Sequence, residues 1–269
     1  MKFVPGRRPR ATEIISAAVI GAALLTTPSV AQAAAPDYVA LGDSYASGVG
    51  TRTYTPESGG CRRSTTSYPY IDAARIGAKL TSVACSGARV VDVTNKQLAP
   101  LNSGIDFVTV QVGGNDAGFS TVITECAQPV WMSNCDGAIN TAQATIKNTL
   151  PTRLSGLYAT IRSRATRAKV TVVGYPRLFN GIDCNAGTFF SSAEMTRLNQ
   201  TADLLNSKLR AAAGAKGFSF VNPTSVFMGH AVCGSPEWIN GLSNPVSESY
   251  HPNGTGQTGF ANLVDDYLH

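Results

Sequence analysis

The chain has 269 residues, of which 43% are hydrophobic, 14% are charged and 26 are glycine, with a formal net charge of +5. Lys2, Arg7, Arg8, Arg10 and Glu13 together account for +3 of that charge, so residues 34–269 carry only about +2. A balance so close to neutral excludes nucleic acid as an electrostatic partner. Residues 1–33 have the three-part layout of a secretory leader: the basic residues, an apolar run from Ile14 to Leu25, and the small-x-small site Ala31-Gln32-Ala33. The apolar run is too short for a bilayer span, which needs about 20 residues. The expectation is a secreted, extracellular protein with no integral membrane segment and a single domain over residues 34–269.

Short apolar strands then alternate with longer helical stretches. Strands are expected at Tyr38–Gly42, Thr81–Cys85, Asp106–Gly113, Lys169–Gly174 and Gly217–Val221. Helical spacing marks Pro69–Leu80, Ala138–Ala165 (bent or interrupted at Pro151), Ser192 to near Gly214, and Gly256–Leu268. This alternation predicts an α/β fold: a three-layer α/β/α sandwich around a doubly wound, flavodoxin-like parallel sheet of about five strands. In such sheets the functional crevice lies at the carboxyl ends of the strands. Three loops share that rim: Gly42-Asp43-Ser44-Tyr45, Cys85-Ser86-Gly87-Ala88 and Gly113-Gly114-Asn115-Asp116.

Six cysteines in an exported chain read as disulfides, with 15 possible connectivities. The sequential pairing Cys61–Cys85, Cys126–Cys135 and Cys184–Cys233 is preferred because each pair brackets one or two local elements. No C-x-x-C pair or histidine at ligand spacing suggests a metal site, and no cofactor is implied.

Ser44 ends a buried strand, where a nucleophile is rigidly supported yet exposed. Of three histidines, His269 is C-terminal and His230 stands near Cys233 as an ordinary loop residue. His251 precedes the last helix and is the candidate base. Asp43 adjoins Ser44, but neighbouring side chains on an extended chain point opposite ways, so a turn role suits it better.

These four blocks, Gly-Asp-Ser-Tyr at 42–45, Gly87, Asn115 and His251, follow the order of the signature blocks of the SGNH, or GDSL, hydrolases. The likeness covers nearly the whole chain after the leader and is greatest to the secreted actinobacterial lipases and phospholipases, including their three-disulfide layout. The resemblance implies a serine carboxylic-ester hydrolase in which Ser44 attacks and His251 is general base and acid. The oxyanion donors would be the backbone N–H groups of Ser44 and Gly87 and the side-chain amide of Asn115. Many members carry aspartate three residues before the histidine, where this chain has Glu248. In some secreted relatives a main-chain carbonyl two residues before the histidine orients it, here that of Ser249. The Ser249 carbonyl is the expected third member, with Glu248 as the alternative.

Apolar residues at 119–123, 130–132, 178–179, 189–190, 226–227 and 238–239 could wall an acyl groove, which favours lipid esters at a transient lipid interface. The chain is expected to act as a monomer. A short-chain carbohydrate or small-ester deacetylase would use the same catalytic residues with a short polar pocket. A metal-dependent phosphatase and a non-catalytic secreted binding protein are the competing classes.

Overall fold

The first apolar run forms strand β1 (Asp37–Gly42), buried from Tyr38 onward. With β2 (Lys79–Ser82), β3 (Phe107–Gln111), β4 (Lys169–Val173) and β5 (Ser219–Val221) it builds one five-stranded sheet in the order β2-β1-β3-β4-β5. All four pairings are parallel, and the order reverses between β1 and β3, the switch point where such sheets open a crevice. The computed structural model describes residues 1–6 and 34–269, of which 35–269 form one compact unit. Met1–Gly6 carries no helix or strand, and the rest of the expected leader lies outside the described residues.

Eight helices flank the sheet among the described residues: α1 (Ser44–Ser47), α2 (Tyr68–Ile76), α3 (Val90–Lys96), α4 (Phe119–Cys126), α5 (Cys135–Asn148), α6 (Leu150–Arg164), α7 (Ser192–Gly214) and α8 (Gly254–Val264). In one layer α2 packs on α8; in the other, α3 packs on α6, α4 on α5, and α5, α6 and α7 on one another. None is long and apolar enough to cross a membrane among the described residues.

Several boundaries differ from the expected ones. The helix expected to reach Leu80 stops at Ile76, because Gly77 turns left-handed (φ 64°) and its N–H closes onto Ala73. The strand expected at 81–85 therefore starts at Lys79, opposite Asp37. Val83 and Cys85 still donate to Ala40 and Gly42, so the segment runs on beside β1. The long helix expected over 138–165 is two helices divided at Thr149, with Pro151 in the first turn of α6, where a missing N–H costs nothing. Ser191 and Glu194 close a reciprocal capping box on α7. The last helix begins earlier, at Gly254, capped by the Asn253 side chain, and gives way to a 3-10 turn at Asp265–Tyr267.

The disulfides are Cys61–Cys85, Cys126–Cys135 and Cys184–Cys233. The first ties a 3-10 turn (Pro56–Cys61) to the loop carrying Gly87; the second joins α4 to α5. Restricting the unfolded chain in this way typically contributes about 2–4 kcal/mol per bridge.

Candidate active site

The end of β1 is held from three directions. Gln97, buried beneath it, accepts from the Gly42 N–H (2.8 Å) and donates to the Gly42 carbonyl (2.9 Å). Asp43 donates its own N–H to Gln111 of β3 (2.9 Å). Its carboxylate caps α1 through the Tyr45 N–H (3.0 Å) and accepts from the Tyr175 hydroxyl (2.5 Å). Both carboxylate oxygens are thus spent on the turn, and burial pushes the Asp43 pKa up to about 7. Asp43 is a structural cap for the helix that presents Ser44.

Ser44 Oγ lies 2.8 Å from His251 Nε2, across 207 residues of sequence. His251 Nδ1 lies 2.8 Å from the Ser249 carbonyl oxygen. A carbonyl can only accept, so Nδ1 carries the proton and Nε2 keeps the lone pair that receives the Ser44 O–H. Burial holds the His251 pKa down to about 4, against the opposing pull of the Ser249 carbonyl. The imidazole is therefore a free base across the neutral range.

The histidine loop is pinned on both sides. Asn240 donates its N–H to the His251 carbonyl (2.9 Å) and accepts from the Tyr250 N–H (2.8 Å). The Tyr45 hydroxyl donates to the Tyr250 carbonyl (2.8 Å), and its ring lies 5.3 Å from the imidazole. Gln257 of α8 accepts from the Tyr68 N–H and donates to the Tyr45 carbonyl, docking the last helix on α1 and α2. Glu248 points elsewhere: its Oε2 accepts from the Gly50 N–H (2.7 Å) and the Tyr54 hydroxyl (2.5 Å).

The other two rim loops bring Gly87 and Asn115 to the same cleft as Ser44 and His251. Among the described residues neither the Ser44 N–H nor the Gly87 N–H has a hydrogen-bond partner. The first N–H groups of a helix have none within it, which accounts for Ser44 at the start of α1. Gly87 is left-handed (φ 77°), and an added Cβ would meet nothing within 4 Å, so conformation rather than crowding calls for glycine. Asn115 donates one Nδ2–H to the Ala88 carbonyl (3.1 Å), fixing the amide while leaving its second N–H available. Asp116 instead binds the Val90 N–H and Arg153. N–H donors of this kind can hold an oxyanion, and a serine hydroxyl paired with a neutral imidazole can be acylated.

The other histidines stand apart from this site. His230 binds the Pro236 carbonyl (2.8 Å) and stacks on Trp238 (4.1 Å); His269 sits near Asp265. No three potential metal ligands cluster among the described residues.

The sequence of the GDSL-like lipase/acylhydrolase family matches residues 40–258. The chain belongs to this family. As a GDSL-like acylhydrolase it is 42% identical to Lipase 1 of Streptomyces coelicolor over 261 residues, covering 94% of this chain and 96% of that one. The crystal structure of phospholipase A1 from Streptomyces albidoflavus NA297 superposes with a TM-score of 0.82 at 41% identity, covering 87% of this chain and all of that one. The extracellular lipase of Streptomyces rimosus gives 0.81 at 42% identity, with the same coverage.

Beside Ser44 this acylhydrolase has a cleft of about 700 Å³, including its open mouth. Phe119, Val122 and Ile123 of α4, Ala142 and Ile146 of α5, Leu178, and Leu198, Ala202 and Leu205 of α7 line it. Only part of the apolar set marked in the sequence reaches it. Phe179, Phe190, Phe227 and Ile239 are core, whereas Val130, Trp131, Met132 and Phe189 face solvent.

Proposed function

We propose that the chain is a secreted, monomeric serine hydrolase, processed after residue 33 to one domain, that cleaves acyl esters of lipids through an acyl-enzyme on Ser44. Ser44 Oγ attacks the ester carbonyl carbon while its proton moves to His251 Nε2, and the Ser249 carbonyl steadies the imidazolium through Nδ1–H. The carbonyl oxygen takes the charge and is held by the N–H groups of Ser44 and Gly87 and the free amide hydrogen of Asn115. Collapse expels the alcohol, which leaves with the proton from Nε2. Water then attacks the acyl-enzyme with His251 again as base, releasing the fatty acid and restoring Ser44.

The observation that carries this reading is the pair of 2.8 Å contacts running from Ser44 through His251 to Ser249, opening on an apolar cleft. A cleft walled by aliphatic side chains from three helices favours an acyl chain over acetate, which weighs against the deacetylase alternative. Three disulfides, together with the likeness to an extracellular lipase of Streptomyces rimosus, support secretion. The loop between α4 and α5, two of the three helices that wall the cleft, exposes Val130, Trp131 and Met132 by 83%, 80% and 65%. Apolar side chains displayed there suit a transient lipid surface.

Labelling with a fluorophosphonate tests the reading. The reagent should modify Ser44 alone, as mapped by mass spectrometry, and neither Ser44→Ala nor His251→Ala should turn over nitrophenyl esters. Activity should favour medium and long acyl chains over acetate and survive a chelator. A folded protein that resists the reagent overturns the hydrolase reading; strict preference for acetate overturns the lipid one.

A further inference from the structure

A second cleft meets the apolar one at Ser44 and Asn115 and runs past Gly87 and His251. Its lining is mixed and more polar than that of the first cleft: hydroxyls from Ser86, Ser120, Thr124 and Ser247 stand beside Phe119 and Val246. It contains one permanently charged side chain, Arg62, and no carboxylate. Because the acyl chain has its own apolar cleft, this second one faces the leaving alcohol.

Arg62 is half-buried, and its guanidinium has neither a hydrogen-bond acceptor nor a carboxylate within salt-bridge distance among the described residues. The chain's other arginine beside this region, Arg63, turns its guanidinium to the Ala84 carbonyl instead. Arg62 also has a left-handed backbone (φ 50°), a conformation that a side chain this large rarely adopts. It is held there by its own N–H on the Gly59 carbonyl (3.2 Å) and by its neighbour Cys61, which is bonded to Cys85. The Cys61 carbonyl in turn accepts from the Ser86 N–H (3.0 Å). Arg62 is therefore mounted on the same cross-linked unit as the Gly87 donor, in a fixed relation to the reacting carbonyl. It is close enough to His251 that its charge adds to the forces disfavouring the imidazolium.

A half-buried cation without a partner in a cleft lacking carboxylates matches an anion that arrives with the substrate. A neutral glyceride offers nothing to it. A phospholipid brings an ionised phosphodiester within one glycerol's reach of the scissile oxygen, and a guanidinium binds two phosphate oxygens in a planar fork. We propose that Arg62 is a specificity-determining residue that binds the phosphodiester of a phospholipid's leaving alcohol during acylation of Ser44, an inference that rests on the ester-hydrolase reading above.

The test compares kcat/KM for phosphatidylcholine and for a diacylglycerol of the same chains, both in mixed micelles of one neutral detergent. Arg62→Gln should lower the phosphatidylcholine-to-diacylglycerol ratio about tenfold to a hundredfold, the range expected for losing a charge-assisted hydrogen-bond pair. Arg62→Lys, which keeps the charge without the fork, should fall between. An unchanged ratio overturns the proposal, whether both activities persist or both drop together through disturbance of the Cys61–Cys85 unit. Failure of the unsubstituted protein to hydrolyse either lipid would count against the ester-hydrolase reading itself, a separate outcome.

Discussion

Glu248 grips Gly50 rather than His251. Its buried carboxylate accepts the Gly50 N–H at 2.7 Å and the Tyr54 hydroxyl at 2.5 Å, while Asn240 donates to the Gly50 carbonyl at 2.9 Å. The acidic residue three positions before the histidine thus fastens the loop after α1 to the loop carrying His251, and the Ser249 carbonyl faces the imidazole.

The two roles open to Glu248 separate by substitution. Glu248→Ala leaves the buried Gly50 N–H with only its 3.2 Å contact to the Tyr54 hydroxyl and takes the acceptor from that half-buried hydroxyl, at a total of about 1–3 kcal/mol, so the urea midpoint should drop. Glu248→Gln keeps an acceptor and should lose less. Both should retain far more turnover than His251→Ala. A Glu248→Gln variant as inactive as the histidine variant would show that the carboxylate acts on His251 directly.

Gly50 itself leaves no room for a side chain. It has φ 102°, and an added Cβ would lie 2.4 Å from the Pro252 carbonyl oxygen and 2.9 Å from His251 Cβ. Gly50→Ala must push the histidine loop off Ser44, and a displacement near 1 Å can cost about a hundredfold in rate. We expect kcat to fall by at least about that factor, with slower fluorophosphonate labelling. Near-native labelling would mean the loop yields without moving the imidazole.

The strands and the blocks at their ends were legible because both are local signals. Parallel strands buried on both faces read as apolar runs, as Val39 to Leu41 does and as Val108 to Val110 does but for Thr109. The edge strand starts earlier than the sequence pattern indicates because Lys79–Ser82 is partly exposed and lacks that run, and because Leu80 also fits the spacing of the preceding helix. Side chains acting at a distance left no such trace. Gln97 reaches Gly42 across 55 residues, and Gln257 joins Tyr68 to Tyr45 across about 190 to 210. A lone glutamine in a helical segment reads as solvent-facing until the fold places it. The ambiguity at Glu248 had the same origin, since its partners Gly50 and Tyr54 lie at the other end of the chain.

The buried imidazole should imprint itself on pH dependence. His251 titrates at about 4 in the folded chain, against an ordinary value of 6.5, because burial favours its neutral form. Its basic form therefore persists well below neutrality, and kcat/KM should hold until an acid limb near pH 4. Between those two pH values the unfolded chain binds more protons than the folded one. This group's contribution is thus complete above about pH 6.5 and is lost as pH falls toward 4, amounting to about 3 kcal/mol. Urea titrations of the native protein and His251→Gln should diverge across that window. An acid limb near pH 6.5 would contradict the burial argument.

Asn115 should matter to the transition state more than to binding. Removing one oxyanion donor typically lowers kcat about 10²–10³-fold, so Asn115→Ala should fall in that range with a smaller change in KM. Asn115→Asp would set an acidic group against the developing negative charge and should be worse. Its loss should also ease as pH drops and the carboxyl takes up a proton. Equal activity of the two variants would point to the Ala88 contact, rather than the oxyanion, as the amide's main task.

Trp131 gives the contrast between interface and chemistry. It is 80% exposed on a loop closed at its base by Cys126–Cys135, so truncating it removes no core contact. If the loop docks on lipid, losing the indole weakens adsorption without touching Ser44 or His251. Trp131→Ala should therefore slow hydrolysis of long-chain lipids in vesicles severalfold, while hydrolysis of a dissolved short-chain nitrophenyl ester stays within about twofold of native. Vesicle co-sedimentation of the Ser44→Ala protein, with and without Trp131→Ala, measures adsorption apart from turnover. Equal sedimentation of the two would leave the indole without a part in docking and direct attention to the exposed side chain of Phe189, a residue whose backbone N–H donates to the Ala127 carbonyl at 3.1 Å.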